Sequence, residues 1–224
     1  MIALLVSALA WIVVTAAPAG AQSDTPIRSV VYKVSIQQRN EAHIERYNSI
    51  DRGIATFTDD GTVDVDVMVK TETLLGVRVT ESMRSRGYPA SFTGNVGPDD
   101  GVHFPDGSIN EVSYNLLRFF GVRFAADQSL SVGSVWATPT GIQYTVKSTD
   151  GRRVTLDVLQ HVKVANTISS VIVYGSVVYD PGLLVPISGD LTQHRIELHP
   201  EGAVETYQEM LFVRQSDSFD APKQ

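Results

Sequence analysis

Residues 191–200 read LTQHRIELHP, two histidines with a glutamate between them, which are the residue types of a zinc hydrolase. A helical zinc site works because its histidines stand four apart, so that both imidazoles face one ion. Here His194 and His199 stand five apart. On a helix that spacing leaves the two side chains about 140° apart, and on a strand an odd spacing sends them to opposite faces. The alternation decides between the two. Thr192, His194, Ile196 and Leu198 form one face, and Gln193, Arg195, Glu197 and His199 form the other. The stretch reads as a strand, with His194 as a hydrogen-bonded core or rim histidine rather than a metal ligand.

Other groups with chemical potential have equally plain structural explanations. Asp64 and Asp66 in TVDVDVMV have the spacing of a paired carboxylate on one strand face. Val63, Val65, Val67 and Val69 take the opposite face, which places the aspartates toward solvent. The loop GPDDGVHFPDGS carries Asp99, Asp100 and Asp106 among turn residues, without the alternating oxygen ligands of a calcium loop. The serines of VGSVW, YGSVV and PISGD lack the elbow of a Gly-x-Ser-x-Gly hydrolase, and there is no cysteine to replace them. No phosphate-cradling loop or dinucleotide fingerprint occurs, so no cofactor is implied. Catalysis would need a dispersed site that brings at least two of His43, His103, His161, His194 and His199 together with a carboxylate.

The elements that would position these residues are mostly strands. In RSVVYKVSIQ, Val30, Tyr32, Val34 and Ile36 share a face opposite Lys33 and Ser35. In IATFTDDGTVDVDVMVKTET, Asp59-Asp60-Gly61 reads as the turn of a hairpin, and Asp150-Gly151 repeats that grammar between two later runs. SSVIVYGSVVYD, PGLLVPISGD, LTQHRIELHP and AVETYQEMLFVRQ continue as a meander, for roughly ten strands in all. One segment breaks the period. In SINEVSYNLLRFFG, Ser108 and Glu111 have capping-box spacing, Ile109, Val112, Leu116 and Phe119 fall on one helical face, and Gly121 is a stop. An amphipathic helix of about three turns is expected there.

An apolar run from Ile2 to Val14, followed by Pro18 and the small residues Ala19-Gly20-Ala21, predicts a signal peptide over 1–21 and a mature chain from Gln22. The expected product is secreted or periplasmic, with no transmembrane anchor in the mature chain. One β-rich domain over 22–214 and a flexible polar tail over 215–224 complete the layout. With 18 basic against 25 acidic residues the net charge is -7, which argues against a nucleic-acid partner.

In SLSVGSVWATPTGIQYTVKSTDGRRVTLDV, the spacing of Val132-Gly133, Trp136, Tyr144-x-Val146 and Asp150-Gly151 resembles that of uncharacterised exported bacterial β proteins. The later GSVVYDPGLL, with Gly175, Tyr179, Asp180 and Gly182, extends the likeness. These in turn resemble the periplasmic lipoprotein-carrier type, which implies a curved antiparallel sheet, half-open like a barrel, with helical cover over its concave face. The likeness covers about the second half of the chain and transfers no functional residue. Taken with the mainly β reading and the short amphipathic helix, it leads to an expectation of a non-catalytic protein that binds or shuttles a lipid or acyl chain. Val112, Leu116, Phe119, Phe120 and Trp136 are the candidate lining residues. The alternatives are an envelope-associated interaction module whose partner is another protein, and an enzyme with a dispersed site.

Overall fold

The computed structural model describes residues 25–46, 49–72, 74–97, 101–105, 111–120, 130–163, 169–180 and 185–219. The expected signal peptide lies outside these residues. Eleven strands form one antiparallel sheet: β1 (Arg28–Arg46), β2 (Ser49–Lys70), β3 (Leu75–Met83), β4 (Ala90–Val96), β5 (Val102–His103), β6 (Val135–Ala137), β7 (Ile142–Asp150), β8 (Arg153–Lys163), β9 (Ser170–Asp180), β10 (Val185–His199) and β11 (Gly202–Asp217). A helix, α1 (Glu111–Leu117), falls between β5 and β6. The strand order is β5-β4-β3-β2-β1-β11-β10-β9-β8-β7-β6. The first and last strands therefore pair at the centre, and each half of the chain walks outward from them to its own edge.

Period-two alternation gives the sheet one apolar face. Val30, Tyr32 and Val34 of β1, Val63 and Val65 of β2, Tyr144 and Val146 of β7 and Leu156 of β8 are all buried on it. The sheet curls around that face. Ser113 of α1 bonds Glu81 of β3, while Arg118, just past the helix, bonds Gln160 of β8. In the strand order β3 and β8 are six steps apart, about 29 Å across a flat sheet. The seven-residue helix is only about 10 Å long, so the two wings have to rise toward each other for its flanks to reach both.

The mainly β, curved-sheet expectation holds, with eleven strands in place of ten and several boundaries moved. Asp59-Asp60-Gly61 is not a turn: it lies inside the unbroken β2, which pairs with β1 from Ser49 to Val67. Its turn-like residues serve another purpose there. The Asp59 carboxylate accepts hydrogen bonds from the backbone N–H and the hydroxyl of Ser85, where the chain leaves β3. Gly61 sits so close to Ser82 and Met83 that a Cβ would strike the β3 backbone. The Asp150-Gly151 hairpin does form, with Gly151 at φ 57° and Asp150 paired to Arg153. LTQHRIELHP supplies the later part of β10, through His199, in continuous register with the preceding segment, which carries an irregularity between Pro186 and Ser188. Val63, Val65 and Val67 are buried as read from the alternation, while Val69, beyond a register shift, is half-buried.

Residues 215–217, placed by expectation in the tail, belong to β11, which runs through Asp217. That carboxylate is buried and accepts hydrogen bonds from Arg28 Nε at 2.9 Å and Arg214 Nη1 at 3.0 Å. Burial pushes the Asp217 carboxyl up, but those bonds, the Phe219 N–H and the two guanidinium charges outweigh it and hold the group below the usual carboxylate range.

Close packing at the centre depends on one glycine. Gly189 of β10 lies opposite Phe212 of β11, whose ring occupies the space a Cβ would need. Gly189→Ala is expected to cost roughly 1–3 kcal/mol by displacing that ring. Gly53→Ala, made where a Cβ meets nothing, should be neutral or stabilising by up to about 1 kcal/mol. Urea denaturation of the two variants checks the contrast.

Candidate functional site

The concave face is filled by α1 and the residues that follow it. Val112, Leu116, Phe119 and Phe120, four of the candidate lining residues, are all buried, and Trp136 is partly buried against the same cluster. The structure thus brings all five together. The three aromatic ones, Phe119, Phe120 and Trp136, belong to a continuous chain of rings. Phe120 meets Tyr32 edge-on at 5.9 Å, Tyr32 meets Phe212 at 6.0 Å, and Phe212 stacks on Phe119 at 6.2 Å. Phe119 then meets Tyr144 at 6.4 Å, and Tyr144 stacks on Trp136 at 5.4 Å. The chain links β1, β11, the α1 segment, β7 and β6. Tyr32 anchors it, its hydroxyl donating to the Pro186 carbonyl at 2.8 Å. In this arrangement the five candidates belong to one apolar cluster, with the aromatic ones joined through rings of the sheet.

Alternation and helical period had not singled out the polar groups that hold α1 in place. Glu81 is fully buried and accepts hydrogen bonds from the Ser113 N–H and hydroxyl, with Arg86 at 3.3 Å from its other oxygen. At the start of the helix, Glu111 accepts from Gln193 and Arg195 of β10. Beyond its end, the buried Arg118 donates to Asn115 and Gln160, and Gln160 donates to the Thr140 carbonyl. A signal for Glu81 was present in the sequence: it continues the buried face of Val77 and Val79, where a carboxylate has to be paired. The described helix spans Glu111–Leu117, about two turns. Glu111, assigned to a capping box, makes these tertiary contacts, and Ser108, Ile109 and Gly121 lie outside the described residues.

The histidines lie elsewhere. His194 faces Glu205 at 2.9 Å and stacks on Tyr207 at 4.1 Å, and the Tyr207 hydroxyl donates to Glu205 at 2.8 Å. These two hydrogen bonds, with weaker help from the His43 charge, hold the Glu205 carboxyl below its ordinary value. The group lies on the outer face of the sheet. Among the described residues no three metal-type side chains converge. Asp66 pairs with Arg78 at 2.7 Å and accepts from Ser29, while burial followed by the Asp66 charge pushes the half-buried Asp64 upward.

No family model matches the chain, and no curated protein matches it. Solved structures give partial likenesses. A lipovitellin structure, described by its lipid–protein interactions, aligns over 89% of this chain and 26% of its own, at 8% identity and TM-score 0.48. The Mll3558 protein of Rhizobium loti aligns over 46% of this chain and 65% of its own, at 17% identity and TM-score 0.22. Ail, the attachment invasion locus protein of Yersinia pestis, aligns over 85% of this chain and 99% of its own, at 7% identity and TM-score 0.19. Each TM-score is below 0.5, and the site described above stands on its own geometry.

Burial is the main influence on Glu81, pushing its carboxyl up against the lowering effect of the Ser113 hydrogen bonds and the Arg86 charge. A folded-state value above the unfolded one stabilises the fold at low pH, and that contribution is lost as pH rises through the folded value. Stability of the wild type should therefore carry a component that declines above the ordinary glutamate range. Glu81→Gln, which keeps an acceptor for Ser113, should remove that component. Glu81→Ala, which strands the buried Ser113 donors, should cost about 1–3 kcal/mol at any pH. Denaturation midpoints measured from pH 4 to 8 distinguish the three proteins.

Proposed function

We propose that this is an exported, non-catalytic protein whose curled sheet takes up a lipid or acyl chain at the concave face now filled by α1. The observation that carries this reading is how the face is closed. The filling is a seven-residue helix and two phenylalanines held to the strands through side chains, not through a strand ladder. An acyl chain can replace Leu116, Phe119 and Phe120 on the sheet without breaking a single strand pair. The buried valines, leucines and aromatics beneath offer it an apolar surface. Val112 and Trp136 sit at the margins of that surface, and selectivity would follow from its shape. The expected leader, cleaved after Ala21, would deliver the chain to the periplasm or the medium. The resemblance to lipoprotein carriers points the same way.

A second reading, an envelope-associated interaction module, is favoured by β6. This three-residue strand pairs with β7 on one side, and among the described residues no strand pairs with its other edge, beside which Val132 and Val135 are exposed. An added strand from a partner protein would cover that edge.

Native mass spectrometry tests the first reading. The full chain, exported and purified without detergent, is weighed before and after organic extraction, and again after addition of palmitate. A discrete mass that extracts as lipid, or stoichiometric palmitate uptake, is expected. A clean apo mass with no uptake of palmitate or phospholipid would favour the interaction module instead.

A further inference from the structure

The outer face of the sheet carries a second, chemically different surface. Strand registers align Tyr174 of β9, Thr192 of β10, Glu209 of β11, Gln37 of β1 and Thr58 of β2 in one row across five strands. On β11, Tyr207 stands two residues along from Glu209 on the same face. These residues border a groove of about 420 Å³, within the range of small-molecule sites. From strand spacing and rise, the Cα atoms of Tyr174 and Tyr207 are about 12 Å apart.

We propose that this groove binds a neutral oligosaccharide, with the rings of Tyr174 and Tyr207 as stacking platforms and the row between them as hydrogen-bonding partners. Three observations favour that ligand chemistry. First, the tyrosines are presented and positioned in advance. Tyr174 is 44% exposed. Tyr207 is fixed by His194 stacked at 4.1 Å and by its hydroxyl bond to Glu205. An amphipathic ring so placed offers a flat apolar face to sugar C–H groups at low entropic cost. Second, the side chains of Gln37, Thr58, Thr192 and Glu209 have no hydrogen-bond partner among the described residues. The amide and hydroxyls both donate and accept, as sugar hydroxyls require, and the carboxylate accepts. Third, other ligand classes fit poorly. Arg39, the one lysine or arginine among the residues bordering the groove, is paired with Glu41 at 2.6 Å, and Glu209 adds negative charge, so an anion in the groove meets no free cation. A lipid would have to desolvate the polar row. A peptide strand would find the backbone here already paired on both sides.

The test uses the full-length mature chain and isothermal titration with cellotetraose, maltotetraose and chitotetraose in turn. Saturable binding of at least one is expected. Tyr174→Ala, on an exposed side chain, should weaken it by about tenfold or more without changing the melting temperature. Thr192→Val should weaken it as well, while Tyr88→Ala, an exposed tyrosine remote from the groove by its position between β3 and β4, should leave it unchanged. No saturation by any of the three at about 10 mM, or binding that Tyr174→Ala and Thr192→Val leave intact, would overturn the assignment. Palmitate uptake plays no part in these outcomes, so the groove stands or fails separately from the concave face.

Discussion

The ring chain from Phe120 through Tyr32, Phe212, Phe119 and Tyr144 to Trp136 is the constraint on which the rest of the molecule depends. A sheet of eleven strands with one apolar face cannot leave that face in water. It can close into a barrel, pair with a second layer, or curl around something. Here it curls, and the aromatic residues that follow α1 are what it curls around. Edge-on and offset ring contacts contribute about 0.5–1.5 kcal/mol each beyond area burial. More important is their position, because they tie the central pair β1 and β11 to the outer strands β6 and β7. Gly189 is part of the same constraint, since the Phe212 ring can lie flat over β10 only where no Cβ intervenes.

Polar groups decide how the filling is oriented. A helix buried on most of its sides would slide if only apolar contacts held it. Glu81, Gln160 and the Gln193–Arg195 pair give α1 three separate polar anchors on β3, β8 and β10. Each is a side-chain contact between buried or half-buried groups, strong when made and costly to leave open. A cover attached in this way is well specified when closed, yet it shares no backbone ladder with the sheet. That combination distinguishes α1 from the strands, and in the proposed function it is what lets α1 exchange for a ligand.

Much of the sheet was legible from alternation, because a half-buried strand writes its period directly into the chain: Val30, Tyr32, Val34 and Ile36 are the clearest instance. Turn chemistry was legible where the turn is local. Gly151 needs its positive φ for a two-residue hairpin, and the sequence shows it. Asp59-Asp60-Gly61 has the same composition for a tertiary reason, the close approach of β3 and the capture of Ser85, which no local pattern reveals. The helix was found from Val112, Leu116 and Phe119 on one face. Leu117 and Phe120, on other faces, are also fully buried, so the element is enclosed rather than laid on a surface. A period alone cannot separate a cover from a plug, because that depends on how far the sheet curls. The outer groove was invisible for a related reason: Tyr174, Thr192, Glu209 and Gln37 come from four strands and meet only through register.

If the concave face takes up a hydrophobic ligand as proposed, α1 and the segment after it give way while the strand ladder persists. Hydrogen exchange of the full chain, measured by mass spectrometry with and without saturating palmitate, tests it most directly. Exchange across residues 111–120 is expected to be faster in the palmitate-bound protein, with β1 and β11 unchanged. Palmitate bound at saturation with exchange across 111–120 unaltered or slowed would contradict it.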